Sequence, residues 1–491
     1  MRILRYRRIV RRLIIASAAA WALWVGLTLA PAILCDDAAI SLRYAERIAS
    51  GRGFTYNDHE RVCGASNPLW TLVIAAGADT GLGAEQTSRH LALLTFVAAV
   101  VLAAVVALRL AGPLAALLVA LILPADVAWR TQALAGLSLP LGISLGLAAV
   151  LSVQHRREGL AGVFLGLAIW NKLDAAALVL ALTVAWRAGY GRFPRRMLIV
   201  AALVVLPWFL FAIGYFGSPW PHSLVAKLQE GRQEPFDHLW IVRFFFQDRR
   251  YVFWIAAAIL PVALRGAPAE RRVAAMALAG WVALHGLAYS TVSLGDVYPW
   301  YLGVPMALSV VLAAGSLGTR WRWSAVAALV IVVAALPQWR ETASRLGGTR
   351  PLELWETFDA DRRLAGVFLD QFAGPGEIVQ GSSGWVAFES RRPFMDETGL
   401  NSSAMLTPDY IVAHGVPWRT GSHPPKRPDG YVALATFDLA SRLYPGTTWY
   451  TVFGRPSSIV ARSGRNETSV DVSRLRDERL TQAWRRGAPP R

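Results

Sequence analysis

The chain has 491 residues, of which 54% are hydrophobic and 17% charged, and it contains 20 tryptophans. Soluble domains carry roughly a quarter charged residues, so the composition indicates a membrane protein. The formal net charge of +17 does not indicate nucleic-acid binding. Its arginines occur in short clusters between apolar runs, as they do in the cytoplasmic loops of membrane proteins.

The first apolar run, residues 13–34, carries no charge and reaches the ~20 residues that cross a bilayer as a helix. It is longer than the apolar core of a signal peptide and lacks a small-residue cleavage pattern, so we expect a membrane anchor. Six arginines precede it, which predicts a cytoplasmic N-terminus.

The apolar runs predict a mainly α, polytopic membrane protein with about eleven transmembrane helices. The predicted spans are 13–34, 88–110, 112–128, 135–153, 159–171, 173–187, 197–216, 251–265, 271–291, 299–318 and 322–338. Every internal basic cluster then falls on the cytoplasmic side. The short fifth and sixth spans could form a hairpin that turns at "WNKLD" (170–174), and the apolar stretch 67–78 is predicted as a helix along the outer interface.

This topology places two large loops outside, 34–87 and 217–250, together with everything after residue 338. We therefore divide the chain into a membrane domain (1–338) and an extracytoplasmic α/β domain (339–491). The second domain begins with a predicted amphipathic helix, "ELWETFDADRRLAGVFLDQF". Strands are predicted within "EIVQGSSGWVAFES", "PDYIVAHG", "YVALATFDLA" and "WYTVFGRPSSIVARS".

Two adjacent carboxylates, Asp36 and Asp37, follow the first span. Ile40, Tyr44 and Ile48 then recur every four residues, which predicts a one-faced helix with an aspartate N-cap and a stop at Gly51. A cap needs only one aspartate. Because neighbouring residues do not share a helix face, the second carboxylate could have a different task.

That task could be catalytic. A glycosidase-like pair is disfavoured, because such carboxylates must flank one bond at a defined separation. A single carboxylate is enough when the leaving group is a phosphate, whose developing charge needs cations rather than a proton. A capped interfacial helix without catalysis remains the alternative.

The segment "DDAAISLRYAERIASGRGFTYNDHERVCGASNPLWTL" (36–72) resembles the first outer loop of GT-C membrane glycosyltransferases that use polyprenyl-phosphate sugars. It is most similar to actinobacterial terminal arabinofuranosyltransferases and their bacterial relatives. Shared motifs are Asp-Asp, Ser-x-Arg-Tyr-Ala, Gly-x-Gly, Glu-Arg-Val-x-Gly and Asn-Pro-Leu-Trp. Looser similarities occur at 171–176, 218–228, 294–305 and 392–400. Ser138 stands where the family commonly has an acid.

The resemblance implies roles for individual residues. One of Asp36 and Asp37 would be the general base, and Lys227, helped by His222, would bind the donor phosphate; anchoring at the interface is the alternative for Lys227. The remaining candidates for donor or acceptor binding are Arg43, Tyr44, Asn67, Lys172, Asp174 and Asp296.

The implied activity is transfer of a sugar, with arabinofuranose as a candidate, from a polyprenyl-phosphate donor to a glycan or lipid acceptor of the cell envelope. It would take place at the outer face of the bacterial plasma membrane. No cofactor is assigned, and a divalent cation stays open. The alternatives are a lipid or sugar transporter, disfavoured because the spans hold few ionisable residues, and a non-catalytic envelope assembly protein.

Both cysteines of the chain, Cys35 and Cys63, lie in the first outer loop. An oxidising compartment would allow a disulfide between them, and the loop-entropy model assigns about 3–4 kcal/mol to a loop of this length. Two buried free thiols are the alternative.

Overall fold

The structure, a computed structural model, describes residues 2–230, 251–258, 260, 264, 266–291, 298–318, 321–347, 353–396, 399–401, 416–422, 432–437 and 450–455. Its α-helices, in chain order, are α1 (Arg2–Leu29), α2 (Asp36–Ala49), α3 (Pro68–Gly77), α4 (Ala84–Ala111), α5 (Pro113–Ala125), α6 (Val127–Leu134), α7 (Leu139–Gln154), α8 (Glu158–Asn171), α9 (Ala176–Tyr190), α10 (Arg195–Phe216), α11 (His222–Glu230), α12 (Tyr251–Ala258), α13 (Ala269–Thr291), α14 (Gly303–Gly315), α15 (Trp321–Leu346), α16 (Leu354–Phe372) and α17 (Trp385–Ser390).

The apolar runs form membrane-crossing helices, so the chain is a multi-pass membrane protein. Within the described ranges, six helical segments are long and apolar enough to cross a bilayer. They lie in α1, α4, α10, α13, α15 and the segment Leu173–Tyr190, in which a short 3-10 helix precedes α9. The third predicted span is bent by 67° between α5 and α6, where Asp126 caps α6 by accepting from the Trp129 N–H at 2.9 Å.

Three further apolar helices are shorter than a full span, α7, α8 and the segment 299–315. They correspond to predicted spans, while the predicted span 251–265 is described only in part. At a rise of ~1.5 Å per residue, the 14 residues of α8 do not cross the hydrocarbon core alone. The described residues therefore contain six or seven long spans with shorter apolar helices beside them, and the exact count of about eleven stays a prediction.

The helices α8 and α10 approach closely at two glycines. A Cβ at Gly162 would lie 2.4 Å from the Met197 carbonyl oxygen, and one at Gly166 would lie 2.6 Å from Cβ of Val204. Small residues four apart allow such contact between membrane helices. Since α8 packs on α7 and α10, while α9 packs on α13, the expected α8–α9 hairpin is not formed as a packed pair.

The basic loops gather at one end of the helices. Arg156 forms an ion pair with Glu270 at 2.6 Å, and Arg192 forms one with Glu158 at 2.7 Å. Arg109 donates to the Gln154 side chain at 3.0 Å. The loops after α4, α7, α9 and before α13 therefore share one side, as the positive-inside argument requires.

A five-stranded sheet lies in the C-terminal part. Its strands are β1 (Val379–Gly381), β2 (Phe394–Asp396), β3 (Trp418–Ser422), β4 (Val432–Phe437) and β5 (Tyr450–Gly454), in the order β2-β1-β3-β5-β4. β1 is parallel to β2 and β3, and β5 is antiparallel to β3 and β4.

Most C-terminal predictions are confirmed. The amphipathic helix is α16, closed by a capping box between Glu353 and Glu356, and strands occur at β1, β4 and β5. The second half of "EIVQGSSGWVAFES" is the helix α17 instead of a strand. The segment "PDYIVAHG" lies outside the described residues.

The first loop and the C-terminal part share one hydrophobic core. Tyr44 and Phe54 of the loop belong to the same buried cluster as Phe368, Val379 and Phe394. This contact holds the C-terminal part against the loop that carries the aspartates. The division of the chain near residue 338 remains a prediction, and α15 continues beyond it to Leu346.

Candidate active site

Helix α2 carries both aspartates in its first turn. It begins at Asp36, with Cys35 at the N-cap position and no side-chain cap, so the predicted aspartate cap is wrong. Carboxylates in a first turn are favoured by the positive end of the helix. The predicted stop is confirmed, because Gly51 follows the helix with φ 75°.

Asp36 is buried against the C-terminal part. One carboxylate oxygen accepts from the Trp385 backbone N–H at 2.7 Å, and the other faces the Ser382 hydroxyl at 3.5 Å. The Asp36 backbone N–H donates to the Asp359 carboxylate at 3.1 Å. This aspartate therefore joins α2 to α16 and α17.

Burial raises the pKa of Asp36 to about 6 and that of Asp359 to about 7, although the Arg362 guanidinium opposes both shifts. Arg362 donates to Asp359 at 2.8 Å. The neighbouring negative charge of Asp37 also raises the pKa of Asp36, and that of Asp36 raises the pKa of Asp359. Both carboxylates therefore take up protons at a higher pH than isolated carboxylates would.

Gly384 makes this contact sterically feasible. Its φ is +124°, and a Cβ there would lie 2.4 Å from Cγ of Asp36. Only glycine combines such a backbone with this close an approach.

Asp37 faces a different environment. It is half-buried. It lines a cavity at that end of the helices where the first loop lies. In the part of the chain that the structure describes, its side chain has no hydrogen-bond or ion-pair partner. The cavity wall also includes Ser41, Asn67, Ser138, Asn171, Lys172, Asp174, Ser223, Lys227, His285, Tyr289, Trp300 and Tyr301.

Two lysines meet in this cavity at Tyr301. Lys227 donates to the Tyr301 hydroxyl at 2.7 Å, and its ammonium lies 5.2 Å from the Tyr298 ring centre. The Lys172 ammonium lies 5.8 Å from the Tyr301 ring centre and 3.4 Å from the Asp174 carboxylate. Asp174 also accepts from the Tyr289 hydroxyl at 3.0 Å.

The break after α8 brings the "NKLD" residues into the cavity. Lys172 is extended, with φ −160° and ψ 134°, and a short 3-10 helix, Leu173–Ala175, follows. In a continuous helix, the side chains of residues 171, 172 and 174 would point in different directions around the helix axis. The break turns Asn171, Lys172 and Asp174 toward the same space.

Three residues of the cavity wall each have a buried polar atom without a hydrogen-bond partner among the described residues. These atoms are Oδ1 of Asn171, Oγ of Ser223 and Nδ1 of His285. These residues are 1%, 5% and 3% exposed. Buried polar groups are normally paired, so a ligand or water is expected there. The sequence analysis singled out none of these three residues. The available signal for His285 was its position as a single histidine in an apolar run.

Other predicted site residues are placed as follows. Asn67 lines the cavity, and its side-chain oxygen accepts from Ser41 at 3.0 Å. The structure does not bring His222 into the cavity wall; its backbone N–H donates to the Cys63 carbonyl at 2.8 Å. Asp296 lies outside the described residues.

Arg43 and Tyr44 lie away from the cavity wall. The Arg43 guanidinium donates to the backbone carbonyls of Tyr56, Ala387 and Arg392. The Tyr44 hydroxyl donates to the Val62 carbonyl at 2.7 Å. The Tyr44 contact stabilises the first loop internally. The Arg43 contacts also join the loop to the C-terminal part.

The predicted disulfide is not formed in the structure. Cys35 and Cys63 are both free and buried, and burial raises the pKa of each thiol. No group of three or more His, Cys, Asp or Glu side chains suited to a metal ion occurs among the described residues.

The sequence matches no protein-family model and no curated protein, but the fold resembles solved structures. ArnT from Cupriavidus metallidurans, bound to undecaprenyl phosphate, has a TM-score of 0.57 at 16% identity, covering 90% of this chain and 97% of that one. The Archaeoglobus fulgidus oligosaccharyltransferase in its apo form has a TM-score of 0.54 at 12% identity, covering 83% and 69%. The expected GT-C-like architecture, a helical membrane part followed by a small sheet, is therefore confirmed at the level of fold.

Proposed function

We propose that this protein is a membrane glycosyltransferase that moves a sugar from a polyprenyl-phosphate donor to a hydroxyl of a cell-envelope glycan or lipid. The observation that carries the proposal is the cavity that Asp37, a carboxylate without a partner among the described residues, lines together with two lysines, Lys172 and Lys227. The fold of a protein solved with undecaprenyl phosphate supports a lipid-linked donor. Arabinofuranose is the sugar that the first-loop motifs favour.

The chemistry follows from the charges. Lys227 and Lys172 would hold the phosphate and stabilise the charge that develops as the bond between sugar and phosphate breaks. Asp37 would take the proton of the acceptor hydroxyl as its oxygen attacks the sugar carbon. The phosphate leaves with the bonding electron pair as polyprenyl phosphate, and Asp37 then returns its proton to water.

Asp36 is unsuited to the same role. Its oxygens are turned to Trp385 and Ser382, and Asp359 adjoins its backbone. We therefore assign Asp37 as the base and Asp36 as a positioning residue. The membrane orientation that this requires, with the cavity outside and the arginine-rich loops in the cytoplasm, rests on the arginine distribution.

The decisive experiment is release of polyprenyl phosphate from a panel of polyprenyl-phosphate sugars by the purified protein with an envelope extract as acceptor. Asp37→Asn should lower turnover roughly 10²–10⁴-fold, the usual range for loss of a general base. Asp36→Asn makes the same chemical change one residue away and should keep turnover within about tenfold. Equal turnover of both variants and wild type contradicts the assignment. A parallel reaction in EDTA tests the divalent cation.

The lysine assignment is tested separately by binding. Lys227→Ala should weaken the binding of polyprenyl phosphate, because it removes a cation from the wall, and should leave acceptor binding unaltered. Arg52→Ala, an exposed cation of the first loop, is the control for loss of one positive charge. If Lys227→Ala binds polyprenyl phosphate as tightly as wild type, Lys227 does not bind the phosphate and only anchors the protein at the membrane interface.

A further inference from the structure

We infer that Asn171 and His285 form a subsite that binds hydroxyl groups of the transferred sugar and so decides which sugar is accepted. This inference rests on the proposed function. It comes from two buried acceptor atoms that belong to residues of the cavity wall and that have no hydrogen-bond partner among the described residues.

Asn171 offers an acceptor. Its amide nitrogen donates to the Ser138 carbonyl at 3.3 Å, which orients the side chain and leaves Oδ1 without a donor. Gly142, also in the wall, would place a Cβ 3.2 Å from this amide nitrogen, so the space beside Asn171 depends on the absence of a side chain there. The last residue of α8 is therefore held in one orientation.

His285 offers a second acceptor. Its Nε2 lies 2.7 Å from the Tyr301 carbonyl oxygen, and a carbonyl can only accept, so Nε2 carries the hydrogen. In the neutral imidazole Nδ1 is then an acceptor. Nδ1 is buried and unpartnered, and its ring packs 4.7 Å from that of Tyr289.

The chemistry of these atoms selects the ligand group. Phosphate oxygens are acceptors and would be repelled by Oδ1 and Nδ1, whereas sugar hydroxyls donate. The phosphate instead suits Lys227 and the Ser223 hydroxyl, one helical turn apart on α11 and both in the wall. The cavity thus offers cations for the lipid phosphate and acceptors for the sugar.

A site built to accept from a hydroxyl discriminates strongly against an analogue that lacks it, because the buried acceptor is left unpaired. Loss of one such hydrogen bond should weaken binding roughly 10–100-fold. The discrimination should disappear when the acceptor is removed from the protein.

The test measures dissociation constants for three ligands in wild type and in Asn171→Leu and His285→Gln. The ligands are polyprenyl phosphate, a polyprenyl-phosphate sugar and its monodeoxy analogues. Wild type should bind at least one monodeoxy analogue roughly 10–100-fold more weakly than the full sugar. Asn171→Leu should bind one of these weakened analogues and the full sugar equally, with polyprenyl phosphate bound as in wild type.

His285→Gln retains a donor for the Tyr301 carbonyl and an acceptor for the ligand, and should keep most of the discrimination. Equal binding of all analogues by wild type overturns the inference. So does an Asn171→Leu variant that weakens every ligand alike, polyprenyl phosphate included. Binding and turnover are measured separately. Failure to release polyprenyl phosphate refutes the proposed transfer. The dissociation constants of the monodeoxy analogues still decide whether Asn171 and His285 form a sugar subsite.

Discussion

Asp36 and Asp37 are neighbours in the chain with different surroundings, because successive residues of an α-helix point about 100° apart. One side chain is directed to α17 and the other into the cavity. The doublet itself was recognisable in the sequence, and a different task for each carboxylate was one hypothesis that it allowed. The proposed assignment of the tasks was not recognisable, because the partner of Asp36 is Trp385, 349 residues away.

Gly384 gives a prediction at this scale. Gly384→Ala should lower the melting temperature and the yield of folded protein, because the added methyl group meets the Asp36 carboxylate and the φ of +124° is strained for alanine. Gly376→Ala, which meets nothing within 4 Å, is the matched control. Thermal unfolding followed by intrinsic fluorescence measures both, and equal melting temperatures would refute the steric argument.

At the scale of elements, sequence patterns located α2, α3, α16 and the break after α8, because each has a local signal. The helix α17 was misjudged as a strand, since Trp, Val and Phe in a short run favour strands, whereas packing against α16 decides its conformation. The place of Ser223 in the cavity wall could not be predicted, because it depends on which helices meet around the cavity, whereas His285 had a local signal as a lone histidine in an apolar run.

The contact between α2 and α16 should respond to pH. The pKa values of Asp36 and Asp359 are raised by burial from 3.8 to about 6 and about 7. The folded state therefore binds more protons than the unfolded state between about pH 4 and 7. Their contribution to the free energy of unfolding falls as pH rises through this window and is level above it.

Asp359→Asn should flatten this dependence, because one carboxylate then remains beside Arg362. The measurement is the melting temperature of wild type and variant at pH 5, 6, 7 and 8 in detergent. The difference between the two curves should change most between pH 5 and 7. Asp79→Asn, at an exposed aspartate, is the control, and a constant difference for Asp359→Asn would contradict a raised pKa of Asp359.

For the whole molecule, hydropathy identified the apolar runs but did not distinguish the long spans from the shorter apolar helices of the described residues. Apolar helices such as α7 and α8 are too short to cross alone, and the sequence does not show that they pack against longer neighbours. The grouping of basic loops was predicted more securely, because the positive-inside rule acts on each loop separately.

Accessibility to a membrane-impermeant thiol reagent tests the orientation. In a Cys35→Ser, Cys63→Ser background, Arg52→Cys should be labelled in intact cells, since it lies in the first outer loop. Arg192→Cys, in the loop that pairs with Glu158, should be labelled only after the membrane is permeabilised. Labelling of Arg192→Cys in intact cells would invert the proposed orientation.

The long sequence separation of the Asp36–Trp385 contact also has a consequence for biosynthesis. Translation at ~5–20 residues per second places roughly 20–70 s between the synthesis of residues 36 and 385. During that interval the loop lacks the N–H that Asp36 accepts from and the C-terminal members of its core, such as Val379 and Phe394. The first loop therefore completes its packing only when the last third of the chain is made.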